Sequence, residues 1–356
     1  MAVPRALDPV APVPWRNGPM FLYVCVSVLA LAALNGANDL PKTFATLLRS
    51  DVARERSARR WALGWLCVGG CAAIVVVGPM YETFAATVSA EQAAHVLAGA
   101  TCWLLLATWA GWPVSITHAL VGATVAELWL FSQGAGLSPG SALWRNVLLP
   151  LLISPPLAFT AVVALRWLRA KIRARFSAPF ARCTTATPAD VWLAASPNSG
   201  EEPQRADQPG HWWAVGAVSF ARSLQDAAKV SALGILAFGA DPRVAYFLVL
   251  AVVAIMAAGG WLISGPVERR LVCRVGTSPE AAASASYVTA LLVICGTLLG
   301  LPLSTTHVSV AAIAGSSTER HVWKWGTQVF VAWMFTPLGA AASVALLALS
   351  EHAVPQ

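Results

Sequence analysis

Residues suited to ion chemistry stand where apolar side chains belong. Asn35-Gly36-Ala37-Asn38-Asp39-Leu40-Pro41-Lys42-Thr43 follows directly on Phe21 to Leu34, a run without a charge. An Asp at the centre of a membrane helix costs about 2.5–3.5 kcal/mol on insertion scales, which makes the stretch a site by default. Its carboxylate suits two tasks, ligating a hard cation such as Na+ or carrying a proton. Asn38 beside it can donate toward an anion and accept toward a cation. A second stretch, Arg222-Ser223-Leu224-Gln225-Asp226-Ala227-Ala228-Lys229, repeats the order: Asp226 matches Asp39, Lys229 matches Lys42, and Gln225 stands for Asn38. Asp39 and Asp226 are the candidate cation-coupling carboxylates, with Na+ as the metal ion they would take.

A second pair of motifs is Gly111-Trp112-Pro113-Val114-Ser115-Ile116-Thr117-His118 and Gly300-Leu301-Pro302-Leu303-Ser304-Thr305-Thr306-His307. Gly-x-Pro between two short apolar runs predicts a hairpin that enters the membrane and turns, tolerated there only when buried in protein or lining a cavity. Pro113 and Pro302 suit the first turn of the helix that follows. Ser115, Thr117, Ser304, Thr305 and Thr306 set hydroxyls beside free N–H groups at the positive end of a helix dipole, a ready anion site. The same hydroxyls also suit plain capping of a buried helix. His118 and His307 suit either a proton relay or a local hydrogen bond. Lys42 and Lys229 stand three residues after their aspartates, the spacing of an ion pair, although burying both charges often cancels the gain. Glu82 and Glu127 have no counterpart in the repeat, and Glu127 is expected to end its helix at the outer surface.

These motifs need apolar elements to hold them, and the composition supplies them. Of 356 residues 57% are hydrophobic and 12% charged, against about 25% charged in soluble chains. Ten apolar segments are read at 20–48 (interrupted at the first motif), 60–79, 92–110, 112–131, 143–168, 212–238, 243–264, 280–300, 302–316 and 321–349, many near the roughly 20 residues a spanning helix needs. The domains follow: a tail 1–19, a first transmembrane repeat 20–168, a polar linker 169–210 that is part helix extension and part loop, a second repeat 211–349 and a tail 350–356. The paired motifs recur at offsets of 187 and 189 residues. Each repeat has an odd number of segments, so the halves insert with opposite orientation, the plan of secondary transporters with broken helices at the midplane. The fold class expected is an all-α polytopic membrane protein of two inverted-topology repeats, about five segments each, with broken helices and re-entrant-type hairpins.

Sixteen Lys and Arg fall in loops on one side of the alternating count, against Arg5, Arg16 and Arg243 on the other. This places the linker in the cytoplasm and both termini outside. It also accounts for the net charge of +7 without nucleic acid. The seven cysteines read as packing residues, and no His/Cys cluster has metal-ligand spacing. The sixteen Trp read as interfacial anchors, among them Trp15, Trp61, Trp212, Trp213 and Trp323. No Walker-type loop is present, and Ser115 with His118 lacks a third residue for a nucleophilic triad. The chain reads as neither an enzyme nor an ATP-driven pump.

Gly-Ala-Asn-Asp at Gly36 to Asp39, Gln225-Asp226, and the paired Pro-x-Ser-x-Thr-His hairpins together resemble the inorganic phosphate transporter (PiT) family. The resemblance covers nearly the whole chain except the termini and linker. It implies two inverted repeats and symport of phosphate with Na+ or H+ in a plasma or cytoplasmic membrane, with no cofactor beyond the coupling ion. By position it implies that Asn38, Asp39, Ser115, Thr117, Gln225, Asp226, Ser304, Thr305 and Thr306 surround substrate and coupling ion. Lys42, Lys229 and Arg222 are further anion contacts. The second signature departs from the family's His-Gly-x-Asn-Asp. Arg222 adds a planar cation able to bind an oxyanion through two bonds, or else pairs with a carboxylate. The implied partners are phosphate or a similar oxyanion and the bilayer, and a homo-oligomer is compatible with the chain. A sulfate permease on the same scaffold, or a channel or non-transporting regulator, are the alternatives.

Overall fold

Apolar runs of this length satisfy their backbone polar groups internally, and the described residues form helices with no strand. The computed structural model describes residues 18–49, 53–131, 140–177, 209–239, 242–272, 278–316 and 320–353. The tail to Asn17, linker residues 178–208, Cys183, Cys273 and Arg274 lie outside the described residues.

The helices are α1 (Pro19–Arg49), α2 (Glu55–Ala85), α3 (Ala90–Trp109) and α4 (Ile116–Phe131). A short α5 (Gly140–Leu143) passes through a π-helical turn, Trp144–Leu148, into α6 (Leu149–Ser177). The chain resumes with α7 (Pro209–Phe238), α8 (Pro242–Leu262), α9 (Gly265–Val272), α10 (Pro279–Leu298), α11 (Thr305–Ser316) and α12 (Arg320–Ala353). Six described helices, in α1, α2, α6, α8, α10 and α12, are long and apolar enough to cross a membrane. Their outer faces carry exposed apolar side chains such as Leu22, Val75, Leu152, Leu262, Leu291 and Leu349, surface that suits lipid rather than water. The protein is an all-α polytopic membrane protein.

Two expectations about breaks are corrected. Gly36 and Pro41 do not interrupt α1, which runs through the whole motif with Pro41 inside it. Gly36 serves close packing instead: a Cβ there would stand 1.9 Å from the Met256 carbonyl oxygen of α8. The breaks fall at the two Gly-x-Pro motifs. Gly111 and Gly300 adopt left-handed φ of 70° and 69°, which favours glycine. Each ends its helix in a Schellman motif, with Gly111 N–H on Thr108 O, Trp112 N–H on Ala107 O, Gly300 N–H on Thr297 O and Leu301 N–H on Gly296 O. Pro113 and Pro302 lie in the extended links 112–115 and 301–304 rather than in the next helical turn. Ser115 and Ser304 take the N-cap position, accepting from the His118 and His307 N–H groups at 3.4 and 3.2 Å.

Helix contacts come in exchanged pairs. α1 packs on α8 and α7 on α2; α4 packs on α12 and α11 on α6; α1 meets α3 as α7 meets α10. The close approaches match as well, since a Cβ at Gly69 of α2 would stand 2.2 Å from Phe220 O of α7, answering Gly36 on α8. Small residues let such helices meet backbone to backbone. The loop read at 265–279 contributes α9. Its Glu268 bonds Arg59 at the start of α2 at 2.6 Å. Burial pushes the Glu268 carboxyl up, and the Arg59 guanidinium opposes that shift.

Candidate functional site

α1 and α7 carry the charged motifs, and the links before α4 and α11 carry the hydroxyls; the fold brings all four together. Ser115 Oγ and Ser304 Oγ lie 2.9 Å apart. Each also bonds the Nδ1 of its own histidine, His118 at 3.1 Å and His307 at 2.7 Å. The two imidazoles stack at 3.9 Å between centroids, 15° from parallel. A continuous hydrogen-bonded chain, His118–Ser115–Ser304–His307, therefore joins the halves. The two serines supply only two protons for these three bonds, so at least one histidine donates from Nδ1.

The amides fix the hairpins. Asn38 Nδ2 donates to Trp112 O (2.9 Å) and Thr108 Oγ1 (3.2 Å), and its Oδ1 accepts from Val114 N–H (3.0 Å). Gln225 Nε2 donates to Leu301 O at 3.0 Å, the equivalent of the Trp112 contact. Each motif thus clamps the link of its own half.

The lysines reach both halves. Lys42 Nζ donates to Asp39 Oδ1, to Val114 O (2.5 Å) and to Thr306 Oγ1 (3.4 Å). Lys229 Nζ donates to Asp226 Oδ1 (3.0 Å), to Leu303 O (3.0 Å) and to Thr117 Oγ1 (2.7 Å). The sets correspond member for member: own aspartate, own link carbonyl, and the threonine of the opposite hairpin. Thr117 Oγ1 in turn donates to Leu303 O at 2.9 Å. The spacing read as an ion pair is one in both halves.

Arg222 breaks the correspondence. From α7 its Nη1 lies 3.4 Å from both Asp39 Oδ2 and Thr305 Oγ1, and its Nη2 bonds Ser309 Oγ at 2.6 Å and Thr305 O at 3.4 Å. Its Nε has no hydrogen-bond partner among the described residues. Arg222, Lys42, Thr306 and Ser309 line one cavity of about 40 Å³, room for more than a single water. Three cations stand against two carboxylates here, all buried, so the formal charge of the cluster favours an anion.

Glu127, expected at the outer surface, is buried, with Oε1 3.0 Å from His95 Nδ1. Both are acid–base residues in adjacent helices, and that proximity in sequence was the available signal. Trp61 and Trp65 of α2 pack edge-on against Trp212 and Trp213 of α7, and Trp61 Nε1 bonds Trp212 O at 2.8 Å.

Known proteins resemble this chain over most of its length. The probable low-affinity inorganic phosphate transporter of Rhizobium meliloti (strain 1021) is 26% identical over 348 residues, spanning 92% of this chain and 95% of that protein. Its counterpart in Mycobacterium tuberculosis (strain CDC 1551 / Oshkosh) is 24% identical over 337 residues, 89% and 74% of the two chains. The sodium-dependent phosphate transporter of Plasmodium falciparum is 31% identical over 166 residues, 40% of this chain and 23% of that one. A solved structure titled "The sodium-dependent phosphate transporter" shares the fold at a TM-score of 0.71, with 18% identity, covering 94% of this chain and all of that one. The family model PHO4, phosphate transporter family, matches residues 35–344, from the first motif to the middle of α12, and the chain belongs to that family.

Proposed function

We propose that the protein is a secondary active symporter of inorganic phosphate, driven by a Na+ or H+ gradient, in a plasma or cytoplasmic membrane. The observation that carries this reading is the reciprocal crossing of the two hairpins, each lysine reaching its own link carbonyl and the opposite threonine. A substrate held at that crossing touches both halves at once. Rocking one half against the other then exposes it to either side in turn, the alternating access of inverted repeats. The exchanged helix contacts support reading 20–168 and 211–349 as those repeats.

In this reading Ser115, Thr117, Ser304, Thr305 and Thr306 give hydroxyls to the phosphate oxygens. Lys42, Lys229 and Arg222 supply positive charge, and Asn38 and Gln225 hold the links in register. Asp39 and Asp226 tune the charge and favour phosphate over sulfate, because protonated phosphate can donate to a carboxylate and sulfate at neutral pH cannot. Accumulation of labelled phosphate in proteoliposomes under imposed Na+ or H+ gradients, with sulfate as competitor, tests the proposal. Gradient-driven phosphate uptake that sulfate does not suppress is expected. Sulfate accumulation would make the protein a sulfate permease, and passive leak alone would make it a channel.

A further inference from the structure

Each buried lysine fills a cage that suits a metal cation. The oxygens around Lys229 Nζ are one carboxylate, one backbone carbonyl and one threonine hydroxyl, at 2.7 to 3.0 Å. Those around Lys42 Nζ are the same three types. Hard cations choose such all-oxygen sets, and in broken-helix transporters unwound carbonyls coordinate the coupling ion. An ammonium has three N–H donors. Each lysine meets three oxygens, so its donors are used up with none left over.

We infer that the ammonium groups of Lys42 and Lys229 are resident cations in the places where coupling sodium ions would sit, and that Na+ does not bind at Asp39 and Asp226 in this protein. The inference rests on the phosphate-symport reading and narrows its coupling ion. Residence follows from burial: Lys229 and Asp226 are both fully buried. Withdrawing the lysine strands a buried carboxylate without its partner, which is strongly destabilising. Adding Na+ beside the ammonium sets two like charges side by side in a buried site, where their repulsion is poorly screened. The charge count points the same way. With three cations and two carboxylates the cluster is already positive, and two sodium ions would raise it by two more, whereas an oxyanion lowers it.

The proton remains as the coupling ion. Asp226 Oδ2 is buried with no hydrogen-bond partner among the described residues, an acceptor free to take a proton. The groups facing these aspartates are Lys42 on α1 and Arg222 and Lys229 on α7, while His118 of α4 and His307 of α11 face Ser115, Ser304 and each other.

The test compares cations at constant ionic strength. In proteoliposomes, replacing Na+ by choline leaves the rate of wild-type phosphate uptake unchanged, and an inward acid gradient drives accumulation. Lys42→Asn and Lys229→Asn each empty one cage; their uptake falls, and Na+ in place of choline then raises it about tenfold, equivalent to about 1.4 kcal/mol. Melting of the purified protein reads the cages without transport: Na+ leaves the wild-type melting temperature unchanged and raises that of the variants. Wild-type uptake that requires Na+, or a wild-type melting temperature that Na+ raises, overturns the inference. Absence of phosphate movement under every gradient would overturn the transport reading instead, and the melting comparison would still decide whether Na+ enters the cages.

Discussion

Arg222 shows what one side chain does at this interface. Its guanidinium leaves α7, meets Asp39 of α1 and clamps the first turn of α11 through Thr305 and Ser309. Arg222 lines the cavity, and its Nε has no hydrogen-bond partner among the described residues, so the residue pairs with a carboxylate and still brings positive charge to the cavity. Arg222→Gln removes the charge and should raise the KM for phosphate by about tenfold or more, since hydrogen bonds to charged groups contribute about 1.5–3 kcal/mol. Lower stability with an unchanged KM would assign the side chain to packing alone. Asp39→Asn leaves Lys42 and Arg222 facing a neutral amide, and coupled uptake should be lost while the protein still inserts. Full activity in that variant would make Asp39 a structural residue. The aspartates, lysines and hydroxyls were legible in the sequence because they recur at a fixed offset. The crossing of Lys229 to Thr117, 112 residues away, was not, because it depends on how the halves pack. Nor was Glu127 with His95, a pair that lacks a copy in the other half.

At the scale of elements, Gly36 and Pro41 looked like helix breakers, yet α1 is continuous. Local propensity lost to packing: in a bundle, glycine's missing side chain matters more for backbone approach than for flexibility, and proline is tolerated where neighbours re-satisfy freed groups. The hairpin glycines read correctly because left-handed φ at a helix end is a local requirement. The contrast can be measured. Gly36→Ala drives a methyl into the Met256 carbonyl and should lower stability by about 1–3 kcal/mol, the usual cost of overpacking. Gly64→Ala in α2 meets nothing within 4 Å and should be neutral or stabilising by up to about 1 kcal/mol. Melting curves in one detergent decide it, and equal effects at the two positions would contradict the close contact of α1 and α8.

For the whole molecule, the fold class and the pairing of motifs were readable from apolar runs and the internal repeat. For orientation we propose that the basic loops face the cytoplasm, because charge sets it. A cysteine placed in the linker, Ser199→Cys in a background without the native cysteines, should react with an impermeant thiol reagent only after the cells are opened. Labelling in intact cells would reverse the orientation. The central claim is that one phosphate site is built equally by both hairpins, at the contact of Ser115 with Ser304. Calorimetric titration of phosphate into purified wild type, Ser115→Ala, Ser304→Ala and the double variant tests it most directly. Each single change should weaken binding by a similar factor, about three- to tenfold, consistent with about 0.5–1.5 kcal/mol per hydrogen bond. The double change should cost less than the sum, because the two hydroxyls act as one unit. Undiminished affinity in either single variant would contradict a site shared between the halves.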